Sequence, residues 1–172
     1  MAQWFECKVR YDKTDVESGG LKTVTEPSLV DALSFTEAEA RITEQMQPFV
    51  SGEFEVSAVR RVNLSDIFYD DAGDRWYKVK TNFIVIDEKT GAEKRTASFQ
   101  MVQAGSFARA LANFNQGMDG TMADFEIASI TETQILDVFP ADLSETAAER
   151  AERKAEQARR QREADKAELE QQ

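Results

Sequence analysis

Hydrophobic and polar residues alternate strictly over the stretch from Trp4 to Tyr11. Phe5, Cys7, Val9 and Tyr11 fall on one side, and Trp4, Glu6, Lys8 and Arg10 on the other. A period of two predicts a strand with one buried face. Asp12 to Gly20 is polar and closes in Gly19-Gly20, the signature of a hairpin loop, and a second strand follows from about Lys22 to Asp31. Pro27 within it predicts an edge or a bulge, because proline has no N–H to give to the ladder. The period then changes. Ser34-Phe35-Thr36-Glu37 has the form of a capping box, and Phe35, Ala38, Ile42 and Met46 recur at helical spacing up to a stop at Gln47-Pro48. A third strand over Phe54 to Arg61 and a short tail over Leu64 to Phe68, helical or extended, complete the segment.

The same succession then starts again. Displaced by 72 positions, Trp4 falls on Trp76, Lys8 on Lys80, Ala32 on Ala104, Ser34-Phe35 on Ser106-Phe107, Ala38 on Ala110 and Met46 on Met118. With the displacement reduced to 71, Phe54-Glu55 falls on Phe125-Glu126, Asp66 on Asp137 and Phe68 on Phe139. Matches in one order with a single deletion predict two copies of one structural unit. The expected fold is α+β, a tandem duplication of a β-β-α-β unit over 1–70 and 71–140 with an internal pseudo-twofold axis. Neither unit is large enough to cover both faces of its own sheet. The copies should therefore share a core that holds both helices, or join into one sheet of about six strands. The expected core is Phe5, Tyr11, Phe35, Ile42, Met46, Phe54 and Val56 with their counterparts Tyr77, Phe83, Phe107, Phe114, Met118, Phe125 and Ile127.

Residues 141–172 differ in kind, being almost entirely Ala, Glu, Arg, Lys, Gln and Asp. A capping signal at Asp142-Leu143-Ser144-Glu145 and oppositely charged pairs three or four apart predict a charged C-terminal helix. Ala148, Ala151, Ala155 and Ala158 give it either a solvated face or a small-residue seam for self-association.

Composition removes several chemistries. The chain of 172 residues has no His and one Cys, so His-based acid–base catalysis, a Cys-His dyad and zinc sites rich in His or Cys have no donors. One Cys forms no internal disulfide, which fits a reducing cytoplasm. No apolar run has the length of a signal peptide core or a membrane span, so a cytoplasmic, membrane-free protein is expected. The formal charge of −11 opposes nucleic-acid binding unless a local basic surface exists.

Such a surface is conceivable on the strands. Trp4, Lys8 and Arg10 share one face, and Trp76, Lys78 and Lys80 share the corresponding one, with Arg60 and Arg61 able to extend them. An aromatic ring beside cations on a sheet is how single-stranded nucleic acids are held, through base stacking and phosphate neutralisation. Glu6 on the same face weakens the patch. The alternative is that both Trp rings pack between the halves, with basic side chains laid over them. The acidic run Tyr69-Asp70-Asp71-Ala72-Gly73-Asp74 lacks the spacing of a calcium loop and falls where a turn between units belongs. No phosphate-binding glycine loop is present, and no catalytic residue, metal or cofactor is expected.

The strings from Trp4 to Tyr11, Val30 to Ala40, Gly73 to Lys80 and Gly120 to Thr133 resemble an uncharacterised family of small proteins from gut Bacteroidetes and their phages. The resemblance covers about residues 4–139 and excludes the charged tail. It implies a phage or mobile-element setting and assigns no catalytic residues. Duplicated strand-rich units with one helix each are also similar in topology to Whirly-type single-strand binders. The expectation is therefore a non-enzymatic single-stranded nucleic-acid-binding protein. The alternative is a protein-interaction module that docks on a host or phage protein; homo-oligomers through the tail are expected where its alanines form a seam.

Overall fold

The computed structural model describes residues 3–141 and 147–170. Over these residues the chain is α+β, with two mixed four-stranded sheets and three helices. The order is β1 (Trp4–Thr14), β2 (Leu21–Asp31), α1 (Phe35–Met46), β3 (Phe54–Val62), β4 (Asp66–Phe68), β5 (Arg75–Ile86), β6 (Glu93–Ala104), α2 (Phe107–Gly117), β7 (Asp124–Glu132), β8 (Val138–Phe139) and α3 (Ala147–Glu170).

Corresponding local devices build both halves. Asp15 and Asp87 close the two hairpins: Gly19 N–H donates to the Asp15 carbonyl at 2.8 Å, and Gly91 N–H to the Asp87 carbonyl at 2.7 Å. Gly19 and Gly91 have φ of 73° and 68°, a left-handed conformation that glycine adopts without a Cβ penalty. Each helix starts at a serine cap, where Ser34 Oγ accepts from Glu37 N–H at 3.1 Å and Ser106 Oγ from Arg109 N–H at 3.2 Å. Residues 41 and 113 then bind equivalent carbonyls. Arg41 donates to Asp31 O at 2.6 Å and Asn113 to Gln103 O at 3.0 Å.

The sheets exchange their last strands. One sheet runs β3-β1-β2-β8 and the other β4-β6-β5-β7. The tails of the two segments are extended, and each lies parallel on the second strand of the other half: Ile67 beside Met101, and Val138 beside Leu29. Phe139 consequently joins the core beneath α1, with Phe5, Val30 and Ile42, while Phe68 packs on the core beneath α2, with Val102 and Phe114. Pro27 lies just past the end of β8. Its carbonyl accepts from Leu136 N–H, so its missing N–H also faces away from β1 and the β1–β2 ladder loses nothing.

A third cluster joins the sheet faces turned away from the helices. Leu29, Trp76, Met101, Ile135 and Val138 are its buried members, with Trp4, Val62, Leu64 and Ile67 packed against them. The layers thus follow the order helix, sheet, sheet, helix. This corrects two expectations. The helices lie outside the core that the halves share, and eight strands form two sheets rather than one sheet of six. The physical reason is the exchange itself: tails that become strands widen each sheet, which then buries one face under its helix and the other against its neighbour.

The expected core needs one further correction. Phe35 and Phe107 are 51% and 56% exposed. Each is the first residue of its helix and overhangs the sheet rim, touching Phe5 and Tyr77 by ring-edge contacts at 5.0 and 6.5 Å. Ala38, Ile42 and Met46, and Ala110 and Phe114, form the buried stripes instead. Helix α3 contacts α1. The capping signal at Asp142 to Glu145 lies outside the described residues. So do the side chains of Ala148, Ala151 and Ala158, while Ala155 is exposed.

Candidate functional site

A bulge falls at the same place in each half. The register shifts between Lys8 and Val9 against β3, and between Lys80 and Thr81 against β7. In both, the extra residue sits on the outer strand, so the central strand keeps its alternation. Trp4, Glu6 and Lys8 therefore face the same way as Arg60 and Val62, while Phe5 pairs with Arg61. The faces bearing Trp4 and Trp76 are the ones that meet.

Where the meeting is incomplete, a cleft of about 350 Å³ remains. Its floor is apolar, from Leu29, Leu64, Met101 and Ile135, with Pro27 and Val62 on one wall. Lys8, Arg60 and Lys78 give its cationic rim and Glu6 the single carboxylate, with Thr133 and Gln134 completing the lining. Arg60 donates to the Glu6 carboxylate at 2.9 Å, which satisfies that charge. The Lys78 ammonium lies 4.6 Å from the centre of the Phe99 ring, a cation–π contact. Lys8 makes no ion pair among the described residues.

The eight residues singled out from the sequence divide accordingly. Lys8, Arg60 and Lys78 come together at the cleft. Trp76 is a buried member of the apolar cluster beneath it, and Trp4 packs against that cluster. Trp76 is 2% exposed, its ring set edge-on to Tyr69 at 5.8 Å, and it offers no face to a base. Arg10 is exposed beside Glu55 at 3.8 Å, away from the cleft. Lys80 is exposed further along β5 and does not line it. Arg61 lies on the opposite face, its guanidinium 5.6 Å from the Phe5 ring centre and 5.7 Å from that of Phe35.

The floor residues and the break in equivalence at Pro27 escaped sequence reasoning. The signal was present: displaced by 72, Pro27 falls on Phe99 and Glu6 on Lys78, so the two faces differ at the positions that matter most.

Other titratable groups are engaged elsewhere. The Asp70 carboxylate accepts from Asn113 at 2.8 Å and lies 3.9 Å from Arg109, so it ties the joint between the halves to α2. Gly73 in that joint approaches the Ala104 backbone so closely that a Cβ would sit 2.5 Å from its Cα. The Cys7 thiol is pushed up to about 12, by burial first and then by Glu39 and Glu6, which keeps it protonated and unreactive near neutral pH. Among the described residues no group of His, Cys, Asp and Glu is arranged to hold a metal ion, and no helix is long and apolar enough to cross a membrane.

The comparison with curated proteins finds no match. A family pattern does match, over residues 3–141, the span that forms both sheets and their two covering helices. The chain belongs to the family described as Domain of unknown function (DUF4494).

Proposed function

We propose that this protein is a non-enzymatic protein-interaction module of a phage or mobile element, acting in the host cytoplasm. In this reading a β-β-α-β unit, 1–70, was duplicated as 71–140 about a pseudo-twofold axis, and the charged tail 141–172 was added. The phage setting rests on the sequence resemblance, and the duplication on the 72-residue register together with the reciprocal strand exchange.

The observation that carries the functional reading is the burial of Trp76 at 2% exposure, with Trp4 packed on the same cluster. Stacking supplies much of single-strand affinity, and a sealed ring cannot stack. What the two halves present outward in common is a half-exposed aromatic at each helix start, Phe35 and Phe107, with Leu33 beside one and Leu111 beside the other. Aromatic side chains, phenylalanine among them, are enriched in protein interfaces relative to the rest of the surface.

Nucleic-acid binding is the second reading, and the grouping of Lys8, Arg60 and Lys78 at one cleft favours it. Affinity capture with nuclease treatment, run beside an oligonucleotide titration, separates the two. A protein partner that survives nuclease and is lost from the Phe35→Ala/Phe107→Ala variant supports docking. Oligonucleotide binding that weakens steeply with salt would replace it with the second reading.

A further inference from the structure

Corresponding positions in the two halves are filled differently at the cleft, and the difference opens it on one side. In the second half Phe99 stands on β6 opposite Lys80, with the Lys78 ammonium against its ring. In the first half Pro27 stands at the corresponding position. The cleft is lined by Lys8 and Pro27, and by neither Lys80 nor Phe99, so its space lies where a phenyl ring is missing.

The chemistry of this space is specific. The apolar floor of Leu29, Leu64, Met101 and Ile135 favours an apolar body, as ligand pockets of about 300–1,000 Å³ commonly do. Glu6 is satisfied by Arg60, which leaves the ammonium groups of Lys8 and Lys78 as excess positive charge at the rim. That excess sits in a chain of net charge −11, and charges beside a partly water-excluding wall interact more strongly than in bulk water. At about 30 Å³ per atom, the share of a water molecule in the liquid, the volume accommodates roughly ten heavy atoms.

We infer that the intersheet cleft binds a small amphipathic anion: one carboxylate or phosphate head held between Lys8 and Lys78, on an apolar body of roughly ten heavy atoms resting on the floor from Leu29 to Ile135. This goes beyond protein docking through the helix starts and uses none of the same side chains.

The test titrates the full chain by calorimetry with decanoate, decyl phosphate, decyltrimethylammonium and inorganic phosphate, with Trp emission as a second readout because Trp4 and Trp76 share an apolar cluster with the floor residues. Saturable binding of one or both decyl anions is expected, and the stronger of the two identifies the head group. The decyl cation and inorganic phosphate should bind at least tenfold more weakly. Lys8→Gln/Lys78→Gln alters exposed side chains only and should lower affinity for the anion about tenfold or more. Pro27→Phe places in the first sheet the residue that the second already carries, and should abolish binding with an unchanged thermal midpoint. The inference is overturned if neither anion saturates at millimolar concentration, if the cation or bare phosphate binds as well as the tighter of the two decyl anions, or if the double Lys variant binds as tightly as the parent. A Pro27→Phe chain that folds and still binds also overturns it. Because the readout is a small molecule in purified protein, its failure leaves partner capture by Phe35 and Phe107 standing.

Discussion

The layers beneath the two helices match in kind at position after position: Phe5 with Tyr77, Val30 with Val102, Ile42 with Phe114, Met46 with Met118. The faces that meet between the sheets match at their buried centre, Trp4 with Trp76 and Leu29 with Met101, but not around the cleft. Glu6 corresponds to Lys78, Pro27 to Phe99, Arg60 to Thr131 and Val62 to Thr133. Each side chain under a helix is enclosed, and close packing admits few alternatives of similar volume. The intersheet faces are enclosed at their centre and open at one margin, so residues there are constrained by burial on one side only. Structure is shared where the halves agree, and the cleft lies where they differ.

The largest effect should come from the exchanged strands. Phe139 is 1% exposed in the core of the half that does not contain it in sequence, whereas Phe68 is only partly buried in the reciprocal place. Phe139→Ala should cost about 3–5 kcal/mol in chemical denaturation, and Phe68→Ala less. Equal losses would show that the two exchanges are energetically equivalent despite their unequal burial. Phe35→Ala, at a half-exposed site, should cost well under either.

Next comes position 117. A Cβ on Gly117 would approach the Phe68 ring to 2.6 Å, whereas the corresponding residue of the first half is a buried Gln45. Gly117→Ala should therefore destabilise by about 1–3 kcal/mol through overpacking, against the helical preference for alanine. A neutral or stabilising result would mean that the ring yields freely.

The halves also differ in their response to alkali. Cys7 and Tyr11 face Val79 and Phe83 as counterparts. Both are pushed up to about 12: Cys7 chiefly by burial, and Tyr11 by burial and then by the hydrogen bond its hydroxyl donates to Glu26 at 2.7 Å. Between their ordinary values of 9.0 and 10.0 and about 12, the folded chain holds protons that the unfolded chain has released. Stability must then fall as pH rises through that window and be intact below about pH 9. The variant Cys7→Val/Tyr11→Phe, which copies the second half, should show a flatter decline of thermal midpoint with pH. The smallest effect belongs to the Arg60–Glu6 ion pair, whose arginine end is exposed: Arg60→Ala should cost about 1 kcal/mol.

Much of the secondary structure was legible in the sequence, since alternation and helical spacing each declare a buried face. Phe5, Cys7 and Val9 are buried as the period of two requires. What stayed hidden was non-local. Nothing in Ile67-Phe68 or Val138-Phe139 says that each pairs with the other half's second strand, because a two- or three-residue apolar run fits any sheet edge. Phe35 and Phe107 sit on the correct helical stripe, but amphipathic spacing does not report that a first-turn residue overhangs the rim. Lys8, Arg60 and Lys78 could be named without the cleft, which exists only once the two faces are brought together.

Those faces close on Trp76. Collisional quenching of the Trp4→Phe variant, which leaves Trp76 as the sole emitter, tests this closure directly. Blue-shifted emission, little quenching by iodide, and no change on adding a single-stranded oligonucleotide at low salt are expected. Red-shifted emission that iodide quenches readily, and that the oligonucleotide quenches in turn, would contradict it.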